Sequence, residues 1–330
     1  MTVPYAPTPF ATPIINPRVG GFGLPYPYIS VSQYRFAPTA MDTENLVPDG
    51  DEAAQTQALA DTIRRQSSEM DIYCFGADPA AKGASLCATQ TVDAAYVKIL
   101  GGELRLVCDY HPIMELDSLA VGVDPSSMTP IDQSAAARIR FGVTTIFLPS
   151  TALLVSGNGP APLIPTFRTL NNRVYVIWSY ISGYAHTILA ESADAGDTSI
   201  IVAPTTPSGG LCGTYPGTQF RISDGELTEI VTVESITGTT VSLVSPLAHA
   251  HTVPDSPDFI PVTTLPSSVE EAAILLTTAG IKSRGDEGLI LSEVDQADRE
   301  AKGNYDNGAE DTARAWEKLD PFRSVTKVKS

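Results

Sequence analysis

Cations, histidines and long apolar runs are all scarce in this chain, and each scarcity removes a class of function. Lys and Arg number 21 against 38 Asp and Glu, for a formal net charge of −17. That balance argues against gripping nucleic acid by phosphate neutralisation, which takes a surplus of cations. An acidic wall would repel a passing duplex and leave it free to slide. No apolar run approaches the roughly 18 residues of a membrane span. The N-terminus has no basic flank ahead of an apolar core, so a secretory signal is not expected. Cys74, Cys87, Cys108 and Cys212 lack the close paired spacing of zinc ligands. Their number allows two disulfides, but without a secretory signal reduced, partly buried thiols are the expectation.

Histidine occurs only at His111, His186, His249 and His251. His249-Ala-His251 would set two imidazoles on one side of a strand, as some metal sites do. Only Asp255 or Asp258 is within reach to complete a ligand set, so a turn that simply contains two histidines is the expectation. Asp109-Tyr-His111 sets a carboxylate beside a histidine, without the serine in a glycine elbow that a triad needs. Gly20-Gly-Phe-Gly23 and Ser208-Gly-Gly210 lack the lysine and the strand-to-helix setting of a phosphate loop. Trp178, Tyr175, Tyr180 and Tyr184 read as strand core and sheet-face packing ahead of a sugar-stacking platform. No catalytic constellation emerges. The chain reads as a non-enzyme with no cofactor and no metal.

What is present is volume and pattern. At 330 residues and 43% hydrophobic content, the chain can hold one large domain or two ordinary ones. Residues 1–28 are a proline-rich arm in which Pro4, Pro7, Pro9, Pro13, Pro17, Pro25 and Pro27 favour extended segments. Phe10, Ile14, Ile15, Phe22, Tyr26 and Tyr28 are interleaved with them. Such an arm either lies across a neighbouring subunit or partner, or is a disordered end that packs only its last residues. Residues 29–87 are an N-terminal helical part. After the turn at Pro48-Asp-Gly50 a helix runs from about Asp51 to Tyr73, capped by Asp49 or Asp51. It buries Leu59, Ile63, Met70 and Tyr73 and turns Arg64 and Arg65 outward.

Residues 88–179 are β-rich. Tyr96–Leu100 and Glu103–Val107 flank Gly101-Gly102, a hairpin signal. Asp117–Val123 and Ala137–Val143 alternate as strands, with Thr144–Leu148 extending the second. Residues 156–165 are a loop, and Arg173–Tyr180 is apolar enough to be a central strand. Residues 180–262 alternate short β-branched runs with turn clusters, as in a small barrel or sandwich. Asp224-Gly225 marks one hairpin within it and Thr237-Gly238 a second turn.

Residues 263–320 are a C-terminal helical part. Pro266 stops the incoming strand, and Ser267 with Glu270 has capping-box spacing. Val269, Ala272, Ala273, Leu276 and Ala279 form a buried stripe of mostly small residues, suited to close packing within the subunit or between neighbours. Gly280 weakens the last turn, and Gly285 is the expected terminator. Leu289, Ile290, Val294 and Ala297 make a further helix, broken at Gly303-Asn304 and Asp306-Asn-Gly308, and Thr312–Leu319 makes the last. The tail 321–330 has three basic residues and no acid. It reads as extended and suited to an acidic or strand-edge surface.

Several of these stretches, in this order, resemble head-to-tail adaptor (connector) proteins of long-tailed bacteriophages. They are Tyr28-Ile-Ser-Val31 through Asn45-Leu-Val-Pro48 with its following helix; Gly183-Tyr184; Ala195-Gly-Asp-Thr-Ser-Ile200; Ala248-His249; Leu265-Pro-Ser-Ser-Val-Glu-Glu-Ala-Ala-Ile-Leu-Leu-Thr277; and Leu319-Asp-Pro-Phe-Arg323. The resemblance covers roughly half of the chain, and the long arm and the β material after Ala88 depart from the short adaptors. It implies an α+β fold, a helical adaptor core with β-rich insertions and extended terminal arms. It further implies a homo-oligomeric ring, typically twelve-fold, beneath the portal protein and above a tail-completion or stopper protein. DNA would pass through its centre without sequence-specific binding, and no membrane would be involved. Val269, Ala272, Ala273, Leu276 and Ala279 are then candidates for the ring interface. Pro321, Phe322, Arg323, Val325 and Lys327 are candidates for partner docking. Two other classes fit the pattern: a capsid decoration or tail-tube protein, and a carbohydrate-binding β module.

Overall fold

Asp51 begins the longest helix by accepting the N–H of Ala54 on its carboxylate at 2.8 Å, which satisfies one of the donors a helix start leaves unpaired. The computed structural model describes residues 26–39, 41–76, 85–100, 103–122, 124–126, 128–131, 140–141, 145–149, 173–206, 209–283 and 308–323. Most of the proline-rich arm, the 156–165 loop, the Gly101-Gly102 turn, Gly285, the expected helix around Leu289–Ala297 and the breaks from Gly303 to Asn307 lie outside them. The fold is mixed α+β. Its helices are α1 (Val31–Phe36), α2 (Glu52–Phe75), α3 (Ser267–Lys282) and α4 (Ala309–Leu319), followed by a 3-10 turn (Asp320–Phe322).

The described chain forms two units, residues 88–183 and residues 26–87 together with 184–323. The first is thus inserted in the second. Segments 29–87 and 263–320, expected as two parts of one helical core, lie in the same unit as nearly all of the 180–262 module. The boundary falls after Gly183 because strand pairing runs through Ser182.

The inserted unit is a seven-stranded antiparallel sheet in the order β4-β3-β7-β1-β2-β6-β5. Its strands are β1 (Thr89–Leu100), β2 (Glu103–Val107), β3 (Ile113–Gly122), β4 (Met128–Pro130), β5 (Arg140–Phe141), β6 (Thr145–Pro149) and β7 (Arg173–Ser182). β7 is central, between β3 and β1. Its alternation puts Val174, Val176, Trp178 and Tyr180 on one buried face. Leu104, Leu106, Leu116, Leu119, Ile146 and Leu148 pack on them, and each fully buried large side chain contributes roughly 1.5–3 kcal/mol. Thr145–Pro149 does not continue the strand before it. β5 and β6 are antiparallel partners, Arg140 opposite Phe147 and Phe141 opposite Ile146, so the chain reverses between them.

The second unit contains a six-stranded barrel, β8-β13-β10-β11-β12-β9 in order. Its strands are β8 (His186–Ile188), β9 (Ser199–Ile201), β10 (Gln219–Ser223), β11 (Thr228–Thr237), β12 (Thr240–Leu243) and β13 (Pro261–Thr263). The two edges meet, since Ala190 N–H donates to Ile201 C=O and Ala203 N–H to Ile188 C=O, both at 2.9 Å. Phe220, Ile222, Val233, Val241 and Val262 fill the interior. Both expected hairpins form, Ser223 opposite Thr228 and Thr237 opposite Thr240. Gly225 takes a φ of 94°, where side chains are strained, and a Cβ there would also meet the backbone of Ser32 at 2.8 Å.

Beside the barrel, α3 packs on α2 and α4. Leu59, Ile63 and Met70 of α2 are buried as the periodicity requires, but Tyr73 is only half-buried, and Asp71, Cys74 and Phe75 take the covered positions. The capping box expected at Ser267 is absent. Pro266 is the N-cap, with no side-chain bond, because Glu270 turns instead to Arg221 of β10. A capping box does form earlier, between Ser30 and Gln33, and starts α1.

Candidate functional site

Of the C-terminal residues expected to dock on a partner, Phe322 and Arg323 are folded back onto their own chain. Pro321 lacks the N–H that would continue the α ladder, and Asp320–Phe322 tighten into a 3-10 turn. That turn returns the chain to Tyr73. The Tyr73 ring stacks on Trp316 with centroids 4.3 Å apart and planes at 19°, and the Arg323 guanidinium lies 4.9 Å from its centroid. The Tyr73 hydroxyl donates to Asp320 Oδ1 at 2.6 Å. That bond first, and burial second, raise the phenol above its ordinary pKa. Phe322 meets Tyr184 edge-on at 6.2 Å. Phe322 and Arg323 therefore have aromatic partners within the chain and are not held in an extended tail. Pro321 and Arg323 stay exposed. Val325 and Lys327 lie outside the described residues.

The stripe on α3 is likewise used inside the chain. Val269, Ala272, Ala273, Leu276 and Ala279, the candidates for a ring interface, are 0–6% exposed, covered by packing within the chain. Their small size lets α4 come close. A Cβ on Gly308, the N-cap of α4, would lie 2.6 Å from Ala279 Cα. The accessible side of α3 presents Glu271, Ile274, Leu275 and Lys282 to an open groove of about 390 Å³, with Arg314 and Lys318 of α4 across it. Two cross-helix ion pairs border the groove, Lys282–Asp311 at 2.8 Å and Lys318–Glu271 at 2.5 Å.

The histidines separate. His249 is exposed and His251 fully buried, so the two imidazoles do not converge. His251 is clasped by two carboxylates, its Nε2 2.8 Å from Glu229 Oε1 and its Nδ1 3.2 Å from Asp224 Oδ2. Burial alone would push the Glu229 carboxyl up. Hydrogen bonds from Ala248, His251 and His249 outweigh it and hold the group below its ordinary pKa. With His251 paired to Ala193 through the backbone, this cluster fastens the closing loop to the β10–β11 hairpin. His186 is a core histidine. It donates Nε2–H to the Pro27 carbonyl at 2.8 Å, and burial lowers its pKa to about 4.

Trp178 and Tyr180 are 1% and 0% exposed and offer no ring for a sugar. All four cysteines are buried and none is in a disulfide, and burial pushes the Cys74 thiol up to about 12. Among the described residues no group of three or more His, Cys, Asp or Glu is arranged to hold a metal ion. Sequence reasoning missed the Tyr73–Trp316–Arg323 stack and the His251 clasp. Neither has a local signal, because their members meet only through the packing of α4 and the closure of the barrel. Neither a protein-family model nor a curated protein matches the chain.

Proposed function

We propose that this chain is a structural virion protein, a head-to-tail adaptor whose copies form a ring between portal and tail, twelve-fold by resemblance. A tail-completion or stopper protein lies below it, and DNA passes through its centre without sequence-specific contact. The observation that carries this reading is the makeup of the second unit. Helices from before the insertion (α2) and from after the barrel (α3, α4) pack on one another, with the barrel between them in sequence. That is the order the resemblance implies for an adaptor core with a β module. The acidic excess of the chain supports a rim or channel that repels DNA. A ring joined head to tail needs two complementary patches per subunit. With the α3 stripe buried, the open side of α3 and α4 is the better candidate for one of them.

The test is assembly without this chain. Particles made in its absence should accumulate as DNA-filled heads and separate tails, and adding the purified protein should join them. Heads and tails that join normally without it would refute the reading. For the carbohydrate-binding alternative, the burial of Trp178 and Tyr180 leaves Tyr175 and Tyr184 as the accessible rings of the expected platform.

A further inference from the structure

The open face of the inserted sheet carries a row of cations beside a row of aromatic rings. Arg173 of β7 stands opposite Lys98 of β1, and Tyr175 opposite Tyr96 two residues along. In the β1–β2 hairpin, Ile99 opposite Leu104 sets the register. One residue further, Lys98 and Arg105 take neighbouring positions on the open face, while Val97, Leu104 and Leu106 take the buried one. Arg105 stands opposite Phe147 of β6, its guanidinium 5.9 Å from that ring. Lys98, Arg105 and Arg173 are all exposed. Tyr96 is 57% exposed and meets Tyr175 edge-on at 4.9 Å.

A structural role does not account for this row. Like charges directly opposite one another destabilise a sheet, and here Arg173, Lys98 and Arg105 lie side by side with no ion pair to a carboxylate among the described residues. The setting sharpens the contrast. Residues 88–183 hold six basic and seven acidic side chains, so nearly all of the −17 sits elsewhere in the chain.

We infer that this face binds single-stranded nucleic acid. Adjacent strands set neighbouring cations about 5 Å apart, and the ring row lies about 7 Å from the cation row along the strands. A single strand offers anion and planar ring in the same alternation, phosphates for the cations and unstacked bases for Tyr96 and Tyr175. A sulfated glycan offers the charge without the rings, and a duplex hides its base faces. The inference does not depend on the adaptor reading.

The experiment is fluorescence anisotropy of a labelled oligothymidine with the full chain at low ionic strength, paired with thermal melts. Binding should be saturable, fall steeply with added salt and raise the Tm. Tyr96→Ala should weaken it about tenfold while the circular dichroism spectrum is unchanged. Lys98→Gln should weaken binding and yet raise the Tm of the free protein, because it removes like-charge repulsion; a merely structural lysine would lower it. Absence of saturable binding would overturn the inference, as would a duplex or heparin binding as tightly as oligothymidine. Full affinity in both variants would do the same.

Discussion

Arg221 of β10 is ion-paired with Glu270 in the first turn of α3, and the same guanidinium donates to the Leu265 carbonyl at 2.9 Å. Barrel and helices are thereby fastened where the chain passes from one to the other. Burial keeps the Glu270 carboxyl above its ordinary pKa in spite of the neighbouring cation. Removing Arg221 would leave that carboxylate covered and uncompensated. Arg221→Ala should cost about 3 kcal/mol in urea unfolding. Glu270→Gln, which keeps an acceptor for the arginine, should cost clearly less. Equal costs would mean that the pair carries no special weight.

Acid should loosen the second unit, and His186 sets the window. Its pKa is about 4 when folded and near 6.5 when exposed. Between those values the unfolded chain holds a proton that the folded one does not, so stability falls as pH falls. The contribution is complete above pH 6.5, and about 2 kcal/mol of it is lost between pH 7 and pH 5. Glu229, with its lowered pKa, acts in the same direction at lower pH. Urea midpoints of His186→Gln, measured at pH 7 and pH 5, should differ by less than those of the parent chain.

Gly308 starts α4 at a φ of 77°, with Ala279 against it. An added methyl is opposed both by the backbone conformation and by the neighbouring helix. Gly308→Ala should destabilise by roughly 2 kcal/mol or more. A substitution within 0.5 kcal/mol of the parent would show that α4 can shift without loss.

The terminal turn can be followed by fluorescence. Of the two tryptophans, Trp178 is fully buried and Trp316 stacks on Tyr73. Replacing both Phe322 and Arg323 with Ala should change Trp316 emission while costing under about 1 kcal/mol, as expected of exposed contacts. Under the adaptor reading it should also reduce head–tail joining. Joining at the parental level would exclude this turn as a docking element.

Local chemistry made much of the fold legible. Asp51 with the apolar spacing of Leu59, Ile63 and Met70 marks α2, and Asp224-Gly225 marks a reversal that does not depend on distant residues. Long-range partners produced the exceptions. Ser267 and Glu270 have the right spacing for a cap, but an arginine 49 residues from Glu270 takes the glutamate. Tyr73 falls on the apolar stripe of α2 and is drawn out by Trp316 and Asp320. The helix α1 carries a local sign in the spacing of Ser30 and Gln33. The cation row emerges only from cross-strand register, since Lys98, Arg105 and Arg173 are scattered in sequence.

The central claim concerns location, and electron microscopy of intact particles tests it most directly, with the chain found by labelled antibody or by density. The account predicts one ring of this protein per particle, at the neck between head and tail. Label spread over the shell or along the tail tube would contradict it and identify a decoration or tube protein instead.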